Sequence, residues 1–302
     1  MNSPDPFNLN IPNLAVVSLA AAEVTGSHST DRADTFSTPN PATAGVPFDD
    51  RMWIDALDDP NHVYMEYHDF GTTSQIFVQR SNDGGQTYTN ALGTVVDAAT
   101  EPSVGPPTGN IAGQIKVDRS SCTSHGNLYQ IFVGPDNPID NSNNSSSFLN
   151  AAYVGVASGV SLTNPTLSFT DYKVFSCGAG STCPSGAGLG NLFPALAVDK
   201  FGYLYAAWSD NTTIYYSFSV SQGTSWSPAI KVWCRSSRQF EHSAIDHKLE
   251  RLCCGDRQRP CDHAGVHAEP SHRPRQPHRA DINRRPTWQL RPEPCRLFPD
   301  RN

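Results

Sequence analysis

The stretch Ser81-Asn82-Asp83-Gly84-Gly85-Gln86-Thr87-Tyr88 (SNDGGQTY) places a turn signal between two strand-like segments. Its Asp-Gly-Gly core offers backbone that adopts positive φ and a carboxylate that accepts backbone N–H bonds across the turn. The preceding residues 75–80 (QIFVQR) have the β-branched and aromatic composition of a strand, and Thr87-Tyr88 begins the returning strand. The stretch therefore predicts a β-hairpin.

The same frame, Ser-x-Asp-x-Gly-x-Thr-aromatic, occurs two more times in weaker form. Residues 29–36 have Ala33 at the glycine position, and residues 219–226 have Ser221 at the aspartate position. A turn that recurs in this way indicates a repeated architecture. The residues predicted to shape the three turns are Ser29, Asp31 and Phe36; Ser81, Asp83, Gly85 and Tyr88; Ser219, Gly223 and Trp226.

A second repeated pattern precedes the hairpins: an apolar run ending in aspartate, a turn, and then an aromatic-rich strand. It occurs at 53–55 with 63–69, at 115–118 with 128–133, and at 196–199 with 204–210. In the middle unit, residues 152–157 and 167–169 are interpreted as a degenerate hairpin with a longer turn. Each unit therefore contains four predicted strands.

Four short strands that repeat every ~40–80 residues, with many glycines and aromatics and no amphipathic helix, are typical of β-propeller blades. A β-sandwich is the alternative, although it gives no reason for one turn to recur at a fixed place in each unit. Residues 1–233 hold three full units and the end of an earlier one, whereas closed propellers have about four or more blades. We therefore predict an all-β, incomplete β-propeller and expect the chain to be a fragment.

The repeated frame resembles the Asp-box, or BNR repeat, of sialidases and related propellers, over roughly residues 29–232. The resemblance implies that each box forms the turn between the third and fourth strands of a blade, on the face opposite the active site. It implies the function of an exo-α-sialidase or BNR-repeat glycosyl hydrolase acting on terminal glycosidic bonds, with a glycan or glycoprotein as ligand. Asp-boxes also occur in other propellers, so a non-catalytic glycan- or protein-binding propeller is the alternative.

The resemblance also implies what catalysis would require. Sialidases bind the sugar carboxylate through three arginines and use a tyrosine nucleophile, a glutamate and an aspartate acid/base. Before residue 234 the sequence has four arginines, namely Arg32, Arg51, Arg80 and Arg119. Only Arg51 is predicted to lie on the active-site face. We therefore expect that this chain lacks a complete catalytic set.

The predicted active-site face is formed by the loops before the first strand and after the second strand of each blade. In the first full unit it carries Asp50 and Arg51 before the inner strand and Asp69 after the second strand. These are the candidate catalytic or ligand-binding residues, and an ion pair of Arg51 with a neighbouring aspartate is the structural alternative. Glu66 and Tyr67 are adjacent on one strand, so they point to opposite faces and cannot form a Tyr/Glu pair in one pocket.

The composition of the chain changes near residue 234. Residues 1–233 contain 8 Lys+Arg against 20 Asp+Glu, a net charge of −12, whereas residues 234–302 contain 14 against 9, a net charge of +5. The second segment holds five of the eight cysteines but only two of the 22 glycines. Such a change predicts a boundary at residue 233.

Three interpretations of this tail compete. A nucleic-acid-binding segment is disfavoured because the arginines show neither aromatic interleaving nor a helical stripe. A zinc site built from Cys254, Cys261, His263 and His267 does not fit a regular finger spacing. A shifted reading frame, or a disordered linker, explains the Arg/Pro/His/Cys-rich mixture better. We therefore predict no nucleic-acid partner, no metal and no cofactor.

The location of the protein is indicated by weaker signals. Residues 14–22 form a short apolar run preceded by Asp5 and no Lys or Arg, so a buried strand is favoured over a signal peptide. No run reaches the ~18 apolar residues of a membrane span, and no membrane association is predicted. Cys177 and Cys183 bracket a Gly/Ser/Pro loop and can form a disulfide. With the Lys-poor composition, this favours a secreted or cell-envelope protein of undetermined oligomeric state.

Overall fold

The structure is a computed structural model that describes residues 14–20, 23–42, 49–59, 61–69, 74–96, 109–120, 122–160 and 162–232. Within these ranges the strands form one three-stranded sheet and three four-stranded sheets. All named strands within a sheet pair antiparallel with their neighbours in sequence. This arrangement confirms the predicted all-β incomplete propeller, and the described sheets do not close into a ring.

The partial sheet contains β1 (Leu14–Ala20), β2 (Glu23–Ser29) and β3 (Asn40–Pro41). Blade 1 contains β4 (Asp49–Ala56), β5 (Val63–Asp69), β6 (Gln75–Ser81) and β7 (Ala91–Thr94). Blade 2 contains β8 (Ile111–Val117), β9 (Leu128–Gly134), β10 (Ala151–Ala157) and β11 (Thr170–Ser176). Blade 3 contains β12 (Ala195–Val198), β13 (Leu204–Ser209), β14 (Ile214–Ser219) and β15 (Ile230–Val232). Helix α1 (Pro138–Ser142) and the short 3₁₀ helices Ser146–Phe148 and Leu189–Asn191 lie in loops.

Consecutive sheets pack face to face, and β5 shows how the sequence allows this. All seven of its residues are buried, because alternate side chains enter two different interfaces. Met65 and Tyr67 belong to the core shared with Val24 of the partial sheet. Tyr64 belongs to the core shared with Phe132 of blade 2. A blade strand of this kind is therefore buried on both faces.

The fourth strand of blade 2 differs from the prediction. Residues 167–169 are not a strand, and the pairing partner of β10 is β11 instead. Residues before β11 cross to blade 1, where Leu92 and Thr166 form a parallel bridge and Leu167 N donates to Leu92 O at 3.0 Å. Leu167 and Phe169 are apolar because they fill the core between blades 1 and 2. The apolar run was therefore a packing signal rather than a strand signal.

The three eight-residue turns share one hydrogen-bond pattern. The first serine Oγ accepts the backbone N–H of the fifth residue, in the pairs Ser29–Ala33 at 2.9 Å, Ser81–Gly85 at 2.8 Å and Ser219–Gly223 at 3.0 Å. The third side chain accepts the N–H of the seventh residue, in the pairs Asp31–Thr35 at 2.9 Å, Asp83–Thr87 at 2.9 Å and Ser221–Ser225 at 3.0 Å. The fifth residue has positive φ in every copy, including the alanine. The side chains at the first and third positions therefore hold all three turns by the same hydrogen bonds.

The aromatic residue of each turn packs against the preceding sheet where one is described. Tyr88 is buried in the core between the partial sheet and blade 1. Trp226 packs in the core between blades 2 and 3 and donates from Nε1 to Gly223 O at 2.9 Å. Phe36, in the turn of the partial sheet, is 47% exposed. Burial of this aromatic thus depends on the neighbouring sheet and not on the turn itself.

Strand β1 confirms the strand interpretation of residues 14–20 but not their burial. Leu14, Val16 and Leu19 are exposed. Leu14 and Val16 lie on the face opposite Ala15 and Val17, which pack against the core shared with blade 1. Cys177 and Cys183 form the expected disulfide. Among the described residues, no helix is long and apolar enough to cross a membrane. The boundary at 233 and the tail at 234–302 lie outside the described residues, so the predictions for them stay predictions.

We predict that Asp83→Ala destabilises the protein more than Ser221→Ala. The Asp83 carboxylate accepts bonds from Ser81 Oγ and from Thr87 N and Oγ1, and loss of a charged acceptor costs about 2–3 kcal/mol. Ser221 is a neutral acceptor, for which about 1 kcal/mol is expected. Urea unfolding of both variants measures the difference. Equal or reversed losses would contradict this assignment of the turn residues.

Candidate functional site

The candidate site lies at the sheet ends where the inner strands β4, β8 and β12 begin, a region called the mouth below. The antiparallel pairing brings the ends of β5 and β9 to the same side. The three eight-residue turns follow β2, β6 and β14, so they lie at the opposite ends of the sheets. Candidate residues on β4 and β5 are therefore well separated from the turns.

A β-bulge positions Arg51 at the mouth. After the cross-strand pair Asp50–His68, Arg51 and Met52 stand opposite Tyr67 alone before regular pairing resumes. Arg51 has a φ of 59°, which is uncommon for a residue with a side chain. Bulges redirect a side chain from the regular pleat, and strained backbone of this kind concentrates at functional sites. The bulge and the positive φ therefore make Arg51 a candidate for a functional role.

Arg51 lies between a carboxylate and an aromatic ring. Its Nε is 3.5 Å from Asp50 Oδ2, and its backbone N–H donates to Asp50 Oδ1 at 2.8 Å. Its guanidinium carbon is 4.9 Å from the ring centroid of Phe193, which precedes Pro194 and the start of β12. Trp53 meets the same ring edge-on at 6.3 Å. Phe193 is 50% exposed, so one charged group and one accessible aromatic face lie together.

The electrostatics of this group are set mainly by burial. Burial lowers the pKa of Arg51, and the neighbouring Asp50 acts in the opposite direction. Arginine nevertheless keeps its charge, because its ordinary pKa lies above about 12. The ion pair expected as the structural alternative for Arg51 is therefore present. It does not occupy the guanidinium face that lies over Phe193.

His68 lies beside this group and is buried. Burial, followed by repulsion from Arg51, lowers the pKa of His68 to about 4, against weaker opposing effects of Asp69 and Asp50. At neutral pH the imidazole is thus uncharged. It can serve the site as a donor or acceptor but not as a cation.

Asp69 is placed differently from Asp50 and Arg51. Asp49 and Asp69 are cross-strand partners and both are buried. Burial and these two carboxylates raise the pKa of Tyr67, whose side chain packs toward the partial sheet. Of the three candidates, the structure therefore brings Asp50 and Arg51 together and buries Asp69 in a different environment. A ligand-binding role for Asp69 stays a prediction.

Glu66 and Tyr67 point to opposite faces, as predicted. Glu66 is fully buried, and neither carboxylate oxygen has a hydrogen-bond partner among the described residues. Burial raises the pKa of this carboxyl group well above its usual range. Glu66 and Tyr67 therefore cannot act as an adjacent nucleophile and base.

The other described arginines are engaged away from the mouth. Arg32 lies in the first eight-residue turn, and Arg80 is buried, with Nε donating to Asn82 Oδ1 at 2.8 Å. Arg119 pairs with Asp55 in the turn after β8. Within the ranges that the structure describes, only Arg51 is placed at the mouth. An arginine triad is therefore not assembled from them.

Two loops of blades 2 and 3 border the mouth and are joined by a buried carboxylate. Asp140 of α1 accepts hydrogen bonds from Asn137 Nδ2 at 2.8 Å, Asn150 Nδ2 at 3.0 Å and Gly180 N at 3.0 Å. Gly180 lies within the disulfide loop, so both loops are held in place. The described part of the chain contains no group of three or more His, Cys, Asp or Glu side chains placed to hold a metal ion.

Comparisons with known proteins give weak similarities only. No known protein family matches the chain, and no curated protein matches it. A protein of unknown function from Dyadobacter fermentans has a TM-score of 0.47 at 12% identity, covering 69% of this chain and 58% of that one. The NanB sialidase of Streptococcus pneumoniae has a TM-score of 0.41 at 13% identity, covering 66% and 26%. An α-L-arabinofuranosidase of Fusarium graminearum has a TM-score of 0.33 at 14% identity, covering 60% and 47%. This chain therefore spans less than two thirds of these proteins, and the similarities assign no activity.

Sequence reasoning identified Arg51 but did not predict its contact with Phe193 or the packing of Trp53 on the same ring. The cation–π contact joins blade 1 to blade 3, and no pattern within one unit reports it. The sequence feature that relates the two residues is their position, because Phe193 and Arg51 both lie near the start of an inner strand. Equivalent positions of different blades meet at the mouth.

We predict that His68→Val removes an acid-dependent loss of stability. The folded pKa of about 4 lies below the unfolded value of 6.5, so wild type loses stability as the pH falls from about 6.5 to about 4. The expected loss is about 3 kcal/mol over this window. Urea unfolding at several pH values measures it, with His125→Gln, an exposed histidine, as the control. Parallel curves for wild type and His68→Val would contradict the assignment.

We predict that Glu66→Gln removes a loss of stability at higher pH. The folded pKa is raised, so wild type is most stable below the unfolded value of about 4.5 and loses stability as the pH rises toward the folded pKa. The amide keeps the shape and cannot ionise. Unfolding free energies measured from pH 4 to 8 should decline for wild type and stay flatter for the variant. An equal decline in both proteins would show that another group is responsible.

Proposed function

We propose that the chain is a sialidase-like Asp-box propeller whose mouth binds a carbohydrate through Asp50, Arg51 and Phe193, and that by itself it does not hydrolyse sialosides. The observation that carries this proposal is the guanidinium of Arg51 held between Asp50 and the half-exposed Phe193 ring. A charged donor, a charged acceptor and an aromatic face together match a sugar ring, which presents hydroxyl groups at its rim and C–H groups on its face. Small-molecule sites generally combine apolar surface with a few placed polar groups.

The Asp-box assignment is supported by the turns. In all three copies the side chains at the first and third positions accept the same backbone N–H groups. In blades 1 and 3 the turn joins the third strand to the fourth, where the resemblance expects it. It lies at the end of the sheets opposite the mouth. These features support the family assignment, although the fold alone leaves the activity open.

The non-catalytic part of the proposal follows from the residues available. Sialosides carry a carboxylate, for which the resemblance implies three arginines, and the described residues place one arginine at the mouth. Glu66 and Tyr67 lie on opposite faces of β5. The third candidate, Asp69, and its cross-strand partner Asp49 are both buried. The disulfide between Cys177 and Cys183 supports the extracellular location that we propose with this function.

A glycan array probed with the full chain tests the proposal. Wild type should bind a defined subset of glycans, and Arg51→Ala and Phe193→Ala should each weaken binding about 10-fold or more, as expected for a lost charge-assisted bond or stacking face. Arg32→Ala is the matched control, because Arg32 is an exposed arginine with a similar positive φ in a turn. A fluorogenic sialoside should show no turnover.

Three outcomes would overturn parts of this proposal. Glycan binding that Arg51→Ala leaves unchanged would remove Arg51 from the site. Turnover of the sialoside by wild type would establish a hydrolase instead. Absence of glycan binding, together with Arg51-dependent capture of a protein ligand, would replace the carbohydrate by a protein partner.

A further inference from the structure

An oxygen-lined cradle lies between blades 2 and 3, at the end of the sheets opposite the mouth. It is formed by Asp118, Ser120 and Ser124 in the turn between β8 and β9, all three buried. Across from them is Gly202, in the turn between β12 and β13, with a φ of 76°. The point where a Cβ on Gly202 would lie is 2.8 Å from Ser124 Oγ, 3.1 Å from Asp118 Oδ2 and 3.1 Å from Ser120 Oγ. Three side-chain oxygens from one turn therefore converge on one small region.

One oxygen of this cradle is buried without a protein donor. Asp118 Oδ1 accepts the backbone N–H of Ser120 at 2.7 Å, whereas Oδ2 has no hydrogen-bond partner among the described residues. The adjacent Arg119 is directed elsewhere, to Asp55 and the carbonyl of Ala56. A buried carboxylate oxygen without compensation costs several kcal/mol. The fully buried position of Asp118 thus calls for a positive partner.

In blade 3 the equivalent aspartate has hydrogen-bond donors for both of its carboxylate oxygens. Asp199 Oδ1 accepts two backbone N–H groups at 2.8 and 3.0 Å, and Oδ2 accepts the hydroxyl of Tyr205 at 3.1 Å. In blade 2 the tyrosine at the same place, Tyr129, instead accepts from Asn127 Nδ2 at 3.3 Å. Blade 2 therefore lacks the donor that satisfies the carboxylate in blade 3.

We propose that this cradle binds a hard cation, Na⁺ or Ca²⁺, which neutralises Asp118 and ties the β8–β9 turn to blade 3. The donors are one carboxylate and two hydroxyl oxygens, and oxygen-only donor sets select hard cations. Mg²⁺ fits less well, because it requires near-regular octahedral geometry and gives up its waters reluctantly. With a single carboxylate the site is weak, in the ~10⁻⁴–10⁻³ M range of extracellular calcium modules.

Thermal unfolding of the full chain tests the proposal. After treatment with EDTA and exchange into choline chloride, the protein is heated with about 10 mM CaCl₂, about 10 mM MgCl₂ or about 0.1 M NaCl, at constant ionic strength. At ten times the dissociation constant, the ligand shifts the folding equilibrium about tenfold and raises Tm by about 2–4 °C. A rise with CaCl₂ identifies calcium, and a rise with NaCl alone identifies sodium. Equal Tm values in all salts would overturn the proposal.

Matched variants locate the effect. Asp118→Asn should abolish the cation-dependent rise, and Asp199→Asn should keep it, because the Asp199 carboxylate is satisfied by protein donors. Gly202→Ala should also abolish it by placing a methyl group against the three oxygens. Gly126→Ala controls for backbone strain, since Gly126 has a φ of 83° but its added Cβ would meet nothing within 4 Å. A rise that persists in Asp118→Asn, or an equal loss in Gly126→Ala and Gly202→Ala, would overturn the assignment to the cradle.

Discussion

The packing of each blade between two neighbouring sheets is the constraint on which the rest of the structure depends. A strand buried on both faces sends successive side chains into different interfaces, so adjacent residues never share a pocket. On β5 this places Tyr64 and Glu66 toward blade 2 and Tyr67 toward the partial sheet. The same alternation separates the cross-strand pair of Asp49 and Asp69 from that of Asp50 and His68. The register of the strands therefore decides which side chains can meet at the mouth.

Features whose hydrogen bonds close within a few residues could be predicted from the sequence. The turn at 81–88 contains its own serine and aspartate acceptors and its own donors, so its eight residues were sufficient to predict it. The four-strand units could be predicted for the same reason, because hairpins join neighbours in sequence. The fourth strand of blade 2 could not, since Leu167 and Phe169 owe their apolar character to a contact with blade 1. Nor could the contact of Arg51 with Phe193, which depends on how blades 1 and 3 are arranged.

Burial shows the same dependence on neighbouring sheets. Tyr64 and Tyr129, at equivalent places in blades 1 and 2, are fully buried, whereas Tyr205 in blade 3 is 41% exposed. The three residues have the same local sequence setting and differ in whether a described sheet covers them. An alternating pattern therefore predicts which residues share a face, but it cannot predict which faces are covered.

Buried carboxyl and imidazole side chains on the second strand distinguish blade 1 from blades 2 and 3. Glu66 and His68 occupy the places that Ile131 and Val133 occupy in blade 2, where apolar side chains fill the interface. Well-packed apolar residues at such positions are generally at least as stabilising as buried ionisable ones. The fold therefore gains nothing evident from Glu66 and His68, and their burial disfavours the charged forms of both. Departures of this kind from consistent packing are expected mainly at functional sites. His68 is the cross-strand partner of Asp50, so the buried ionisable residues of blade 1 lie next to the exposed part of the mouth. This coincidence favours blade 1 as the part of the mouth that is built for a ligand.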